Sequence, residues 1–123
     1  MRVLVADDSR TIRGIAREIL QRMGYAQVAE ASDGREALGR FGSFQPQMLI
    51  LERDLPEIDG ISIVRALRSQ GRSLPIVMLS DRAHRDQVME ALNAGVSSYV
   101  MKPFTPAVLT ERIREAVSRS RAA

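Results

Sequence analysis

The 123-residue chain contains no cysteine and no tryptophan, and it has a single histidine, His84. Without cysteine, disulfides, zinc–thiolate centres, iron–sulfur clusters and thiol nucleophiles are excluded. One histidine excludes multi-histidine metal sites and argues against a histidine-based triad. Aromatic side chains are confined to Tyr25, Phe41, Phe44, Tyr99 and Phe104. Nucleic acid is usually gripped by a dense basic patch, with stacked aromatics for single strands. A net charge of +3 with so few aromatics points away from that partner. No apolar run approaches the roughly 18 residues of a membrane span. Met1-Arg2 leads straight into Val3-Leu4-Val5 without a secretory pattern, so a cytoplasmic chain away from membranes is expected. What is present, 45% hydrophobic and 27% charged residues, suits one packed domain over residues 1–123.

Two periodicities alternate along the chain. Val3-Leu4-Val5-Ala6 is a continuous apolar run, as in a strand buried on both faces. It stops at Asp7-Asp8-Ser9, where Ser9 suits a helix N-cap. Ile12, Ile15, Ala16, Ile19, Leu20 and Met23 follow at helical spacing, up to a stop at Gly24. Val28–Ala31 predicts a second strand. Asp33 with Glu36 resembles a capping box for a helix through Ala37, Leu38 and Phe41, ending at Gly42. Met48–Leu51, Ile76–Leu79 and Tyr99–Met101 read as three further strands. Ile61, Val64 and Leu67 mark a helix that stops by Gly71, and Val88 and Leu92 mark another that stops at Gly95. Thr105 as N-cap and Pro106 as first helical residue open a last helix with Leu109, Ile113, Ala116 and Val117 inward. The residues from Ser118 onward are expected to fray. Five strands alternating with five helices imply a parallel sheet with right-handed crossovers, covered by helices on both faces.

Ligands of such sheets bind beyond the carboxyl ends of the strands. The first strand ends in Asp7 and Asp8, the third in Glu52, the fourth in Ser80 and Asp81, and the fifth in Lys102-Pro103. Crowded carboxylates raise one another's pKa unless a cation intervenes. A hard divalent ion with oxygen ligands, above all Mg²⁺, meets that need, with Lys102 as a fixed counter-charge. Lys102 is also the only lysine among eighteen basic residues, which suggests a site needing a compact ammonium in place of a planar fork.

Asp7-Asp8, Leu55-Pro56-Glu57-Ile58-Asp59-Gly60, Ser80, Tyr99 and Lys102-Pro103-Phe104 together resemble a response-regulator receiver domain of the CheY-like kind, over essentially the whole chain. The resemblance implies a flavodoxin-like, doubly wound five-stranded sheet in the order 2-1-3-4-5 with five helices. It also implies a signalling module of a two-component system, and no enzyme beyond self-phosphotransfer. In such receivers an aspartate ending the third strand takes a phosphoryl group from a histidine kinase or phosphotransfer protein, with Mg²⁺ bound. Carried over, Asp8 would ligate the metal directly, Asp7 partly through water, and the Asp54 main-chain carbonyl and position 52 would complete its surroundings. Ser80 and Tyr99 would be the switch pair, and Lys102 would neutralise the phosphoryl or carboxylate oxygen. A downstream protein would dock on the face of the fourth helix, fifth strand and fifth helix. Unless the chain is a fragment, a length of 123 residues is expected to leave no room for an output domain, so that its effect passes through another protein.

The acceptor position departs from the pattern: four residues before Pro56 stands Glu52. Glutamate keeps the charge but carries it outward by roughly 1–1.5 Å. In-line phosphoryl transfer tolerates such an error poorly. The longer carboxylate instead reaches towards the place of a phosphoryl oxygen, near Lys102 and Ser80. Glu52 is therefore expected to mimic phosphorylation in part and bias the switch, either in a naturally divergent pseudo-receiver or through an introduced substitution. The alternative is a phosphorylatable regulator that accepts phosphate at Glu52 or Asp54. Use of Asp54 would require the loop to slip by two residues. Asp81 is a second departure, because receivers usually carry a small residue after the switch hydroxyl.

Blander roles cover most other polar and soft residues. Met23, Met48, Met78, Met89 and Met101 read as core filler. His84 reads as a solvated surface residue. Arg10, Arg13 and Arg17 share a helical face that is either solvated or a docking surface for an acidic partner. Arg112, Arg114, Arg119 and Arg121 suit the end of the last helix, where Glu115 and Arg119 can pair. A flavin protein would need a phosphate-cradling loop where Asp7-Asp8-Ser9-Arg10 stands, and an aspartate-nucleophile phosphatase would need an Asp-x-Asp motif there.

Overall fold

The structure, a computed structural model, describes residues 1–82 and 84–122. Its elements alternate throughout: β1 (Arg2–Ala6), α1 (Arg10–Arg22), β2 (Gln27–Ala31), α2 (Gly34–Phe44), β3 (Met48–Glu52), α3 (Gly60–Ser69), β4 (Ile76–Ser80), α4 (Arg85–Ala94), β5 (Ser98–Met101) and α5 (Pro106–Ala122). The strands form one parallel sheet in the order β2-β1-β3-β4-β5, as the resemblance implies.

Alternate residues of each central strand serve two cores. Leu4, Leu49, Leu51, Ile76 and Met78 pack with Phe41, Val64, Leu67 and Ala91 of α2, α3 and α4. Val3, Val5, Met48, Ile50, Val77 and Leu79 pack with Ala16, Ile19 and Leu20 of α1 and Leu109, Ile113 and Ala116 of α5. Burial on both faces is why these strands read as unbroken apolar runs. The register pairs Glu52 with Leu79 and Ser80 with Met101, so both strands bring their last residues to the same edge of the sheet.

Several local expectations hold and several do not. Ser9 and Asp33 accept the N–H groups of Ile12 and Glu36, and Thr105 accepts that of Val108. The Glu36 carboxylate, however, takes a hydrogen bond from the Ser32 hydroxyl, so the reciprocal half of the capping box is absent. Helix α2 runs through Gly42 to Phe44 and closes on Gln45 in the left-handed conformation, because Arg2 Nε donates to the carbonyls of both Phe44 and Gln45. Helix α5 does not fray at Ser118. It continues to Ala122, helped by the Glu115–Arg119 ion pair at 2.9 Å and by Arg119 Nη1 on the Ser97 carbonyl at 2.5 Å. Met48 and Met78 are core, whereas Met89 and Met101 are exposed, since α4 and β5 have no further layer over them.

Two glycines set the spacing beneath the loop after β3. A Cβ on Gly34 would lie 2.1 Å from the Ile58 carbonyl oxygen, and one on Gly60 would lie 2.5 Å from the Glu52 carbonyl oxygen. Both obstacles are main chain and cannot swing aside. Gly60→Ala is therefore expected to cost about 1–3 kcal/mol of stability. An unchanged urea midpoint would show that the β3–α3 loop yields freely.

Candidate functional site

At the carboxyl edge, Asp7 and Glu52 turn inward from the ends of β1 and β3, and both are buried. Asp7 Oδ1 accepts the Ser9 N–H at 2.8 Å, and Glu52 Oε1 accepts the Asp54 N–H at 3.1 Å. Among the described residues their remaining oxygens have no other hydrogen bond, and they converge on one ammonium. Lys102 Nζ lies 2.7 Å from Asp7 Oδ2 and in direct contact with Glu52 Oε2. Main-chain bonding fixes that ammonium's origin, since the Lys102 N–H donates to the Ser80 carbonyl at 2.8 Å.

One ammonium cannot fully compensate two buried carboxylates. Burial pushes the Glu52 carboxyl above its ordinary value, and the Asp7 charge adds to the rise, while Lys102 and the Asp54 N–H pull it down. Burial by itself would lower the Lys102 ammonium, but hydrogen bonds and attraction from Asp7 and Glu52 outweigh it and raise the value. The ammonium thus stays charged while the carboxylates share it.

Above this triad opens a cleft of about 200 Å³ lined by Asp8, Glu52, Asp54, Asp81 and Lys102. Asp8, Asp54 and Asp81 are exposed on it. Among the described residues no three carboxylates converge on an ion-sized point. The all-oxygen donors and the uncompensated negative charge nonetheless fit Mg²⁺, which keeps several waters and needs only one or two carboxylates.

Among the described residues, the two hydroxyls expected to form the switch make no hydrogen bond to Glu52. Ser80 Oγ, fully buried, accepts the Arg82 N–H at 3.0 Å, and Tyr99 donates its hydroxyl to the Arg82 carbonyl at 2.9 Å. Arg82 Nε in turn lies 3.4 Å from Asp54 Oδ2. Glu52 therefore reaches Lys102 as expected but leaves Ser80 to the β4–α4 loop. Asp54 is an exposed loop residue beyond the end of β3, with no slip in register.

The chain matches the response regulator receiver domain family over residues 3–114. It belongs to that family. The receiver is 40% identical over 121 residues to the chemotaxis protein CheY of Pseudomonas aeruginosa, covering 97% of this chain and 98% of that protein. It is 40% identical over 116 residues to CheY1 of Helicobacter pylori, covering 92% and 94%. Among solved structures, chemotaxis response regulator CheY4 of Vibrio cholerae superposes with a TM-score of 0.85 at 32% identity, covering 94% of this receiver and 97% of that chain. A CheY-like receiver from Methanospirillum hungatei gives 0.86 at 26%, covering 98% and 96%. Receivers of this family are signalling modules of two-component systems and generally bind Mg²⁺.

Several other arginines of the receiver are engaged within the fold. Arg13 and Arg17 pair with Glu30 at 3.0 and 3.4 Å, and Arg13 Nη1 also donates to the Asp7 carbonyl at 2.8 Å. Only Arg10 of that stripe is exposed. A cavity of about 500 Å³ at the far edge of the sheet is lined by Arg68, Arg72 and Arg119. There Arg68 donates to the carbonyls of Gly95, Arg72 and Leu74, so it closes chain ends around α3 and α4. Two residues that organise the functional edge, Arg82 and Arg53, carried no motif signal. Arg82 acts through its main chain, and buried Arg53 donates to the carbonyl of Gln87, a partner 34 residues away.

Proposed function

We propose that residues 1–123 act as one receiver unit of a two-component pathway whose acceptor position is held by a non-transferring glutamate. The observation that carries this reading is the Lys102 ammonium, committed to Glu52 and Asp7 in a buried triad. Glu52 places a carboxylate oxygen where Lys102 would otherwise meet a phosphoryl oxygen, and so biases the Ser80/Tyr99 switch without turnover. Whether Glu52 is a natural divergence or an introduced substitution, the chemistry at the site is the same. Asp7, Asp8, the Asp54 carbonyl and Glu52 would hold Mg²⁺, with occupancy weakened by the engagement of Glu52 with Lys102. When bound, the ion supplies positive charge against the carboxylates and a hard site for a phosphoryl oxygen.

Upstream, the unit would meet a histidine kinase or phosphotransfer protein. Downstream, a protein target would dock on α4, β5 and α5. Exposed Met89, Leu92, Met101 and Val108 lie on these elements, beside a groove of about 190 Å³ between Leu92, Tyr99 and Arg112. The curated relatives named as chemotaxis proteins support a cytoplasmic, motility-type pathway. Intact mass after incubation with acetyl phosphate and Mg²⁺ tests this reading. The parent protein is expected to stay unmodified. Covalent phosphate on Glu52 or Asp54 would replace it with the phosphoacceptor alternative.

A further inference from the structure

Helix α4 is thinly attached to the rest of the domain. Ala91 is its one buried residue, and its N-cap, His84, makes no side-chain capping bond. A buried guanidinium supplies the missing attachment. Arg53 follows the acceptor position directly and is only 6% exposed. Its main chain is fixed on both sides, with N–H to the Leu79 carbonyl and carbonyl to the Gly60 N–H, each at 2.8 Å. Its side chain crosses to α4, where Nη1 donates to the Gln87 carbonyl at 2.6 Å and Nη2 pairs with the Glu90 carboxylate. A rigid planar fork on two points one helical turn apart fixes both the distance and the roll of that helix. A buried charge needs partners, so moving Arg53 without moving α4 is costly.

The same residue is tied to position 52. The N–H that Glu52 Oε1 accepts belongs to the peptide between Arg53 and Asp54, so the Glu52 carboxylate orients the plane from which Arg53 departs.

We infer that Arg53 is a positioning residue that transmits the state of position 52 to helix α4, alongside and independently of the Ser80/Tyr99 pair. The inference rests on the reading of Glu52 as the occupant of the acceptor position. Release of the Asp54 N–H by the position-52 carboxylate leaves the Arg53–Asp54 peptide held by the Gly60 N–H alone and lets it pivot about that bond. The guanidinium then carries the first turns of α4 with it, while Arg68 on the Gly95 carbonyl holds the other end. Partner contact on α4 would thereby report on the acceptor site through a route that bypasses the hydroxyl switch.

The test compares backbone amide shifts of the full chain, Glu52→Ala against parent, and repeats the comparison in an Arg53→Met background. In the first pair, amides of Gln87 to Glu90 are expected to move together with those of Ser80 and Tyr99. In the Arg53→Met background the α4 response is expected to be lost while the Ser80 and Tyr99 response remains. Glu90→Ala, an exposed change that removes one of the two anchors, is expected to weaken the α4 response, and it keeps the test valid should Arg53→Met fail to fold. An α4 response that survives loss of the clamp, or none when Ser80 and Tyr99 do respond, would overturn the coupling. Silence at all three places would overturn the role of Glu52 itself.

Discussion

Lys102→Met is expected to destabilise the fold by about 3–5 kcal/mol at neutral pH, the cost typical of removing one partner from a buried ion pair. The methionine preserves most of the apolar stem, so the loss reflects charge more than packing. Asp7 and Glu52 would then face each other without a cation, and the burial that already raises the Glu52 carboxyl would act without the opposing pull of Lys102. The pH dependence follows from that. A carboxyl whose folded pKa is raised contributes stability below its unfolded value, here near 4.5, and loses it as pH rises through the folded value. The variant should accordingly approach the parent in acid and fall away from it towards neutrality. In the parent, the raised Lys102 value acts in the same direction but in a higher pH range. Its contribution is complete below the ordinary value of 10.5 and is lost only as pH rises through the folded value. Urea unfolding of both proteins in acid and at neutral pH measures the difference. A gap below about 1 kcal/mol at neutral pH would place Lys102 among ordinary surface lysines.

Glu52→Asp is expected to create a working acceptor. Withdrawal of the carboxylate by one methylene releases the Lys102 ammonium from position 52, leaving it on Asp7, and restores room for an in-line approach. The aspartyl oxygen would attack the phosphorus of acetyl phosphate as acetate departs, and the new phosphoryl oxygens would take the place that Glu52 Oε2 holds at Lys102. Since a misplacement of about 1 Å can cost on the order of 100-fold in rate, phosphoryl incorporation into the variant should exceed that into the parent by at least ~100-fold. Asp81 remains on the cleft in both proteins, and its charge opposes an anionic donor. If Glu52→Asp also stays unmodified, divergence at the site extends beyond position 52. Comparable labelling of parent and variant would remove the basis for treating Glu52 as a mimic.

The layout of the sheet was legible because β1, β3 and β4 are buried on both faces and each therefore appears as an unbroken apolar run. Placing polar residues after those runs located Asp7, Glu52, Ser80 and Lys102 at one edge, and the structure brings all four to it. Legibility failed where a residue's role depends on a distant partner. Arg2 seals the end of α2 across more than 40 positions, so the helix outruns the glycine that marked its expected stop. Arg13 and Arg17 have a helical spacing that suits an open face, yet Glu30 on β2 engages both. Met89 and Met101 look like core by residue type, but only packing decides that nothing covers them. At the site, the apolar pattern gives no hint that the Arg82 main chain takes up both switch hydroxyls. Such a contact depends on loop geometry and is indifferent to the side chain.

Because Lys102 is the only lysine in the chain, its ammonium can be followed as a single signal with isotope-labelled lysine. Titration of that signal in the parent and in Glu52→Gln tests most directly whether Glu52 stands in for a phosphoryl group. In the parent the midpoint is expected above the ordinary 10.5, and in Glu52→Gln it should fall as one of the two partner carboxylates loses its charge. A parent midpoint at or below 10.5, or one indifferent to Glu52→Gln, would contradict the buried triad and the function built on it.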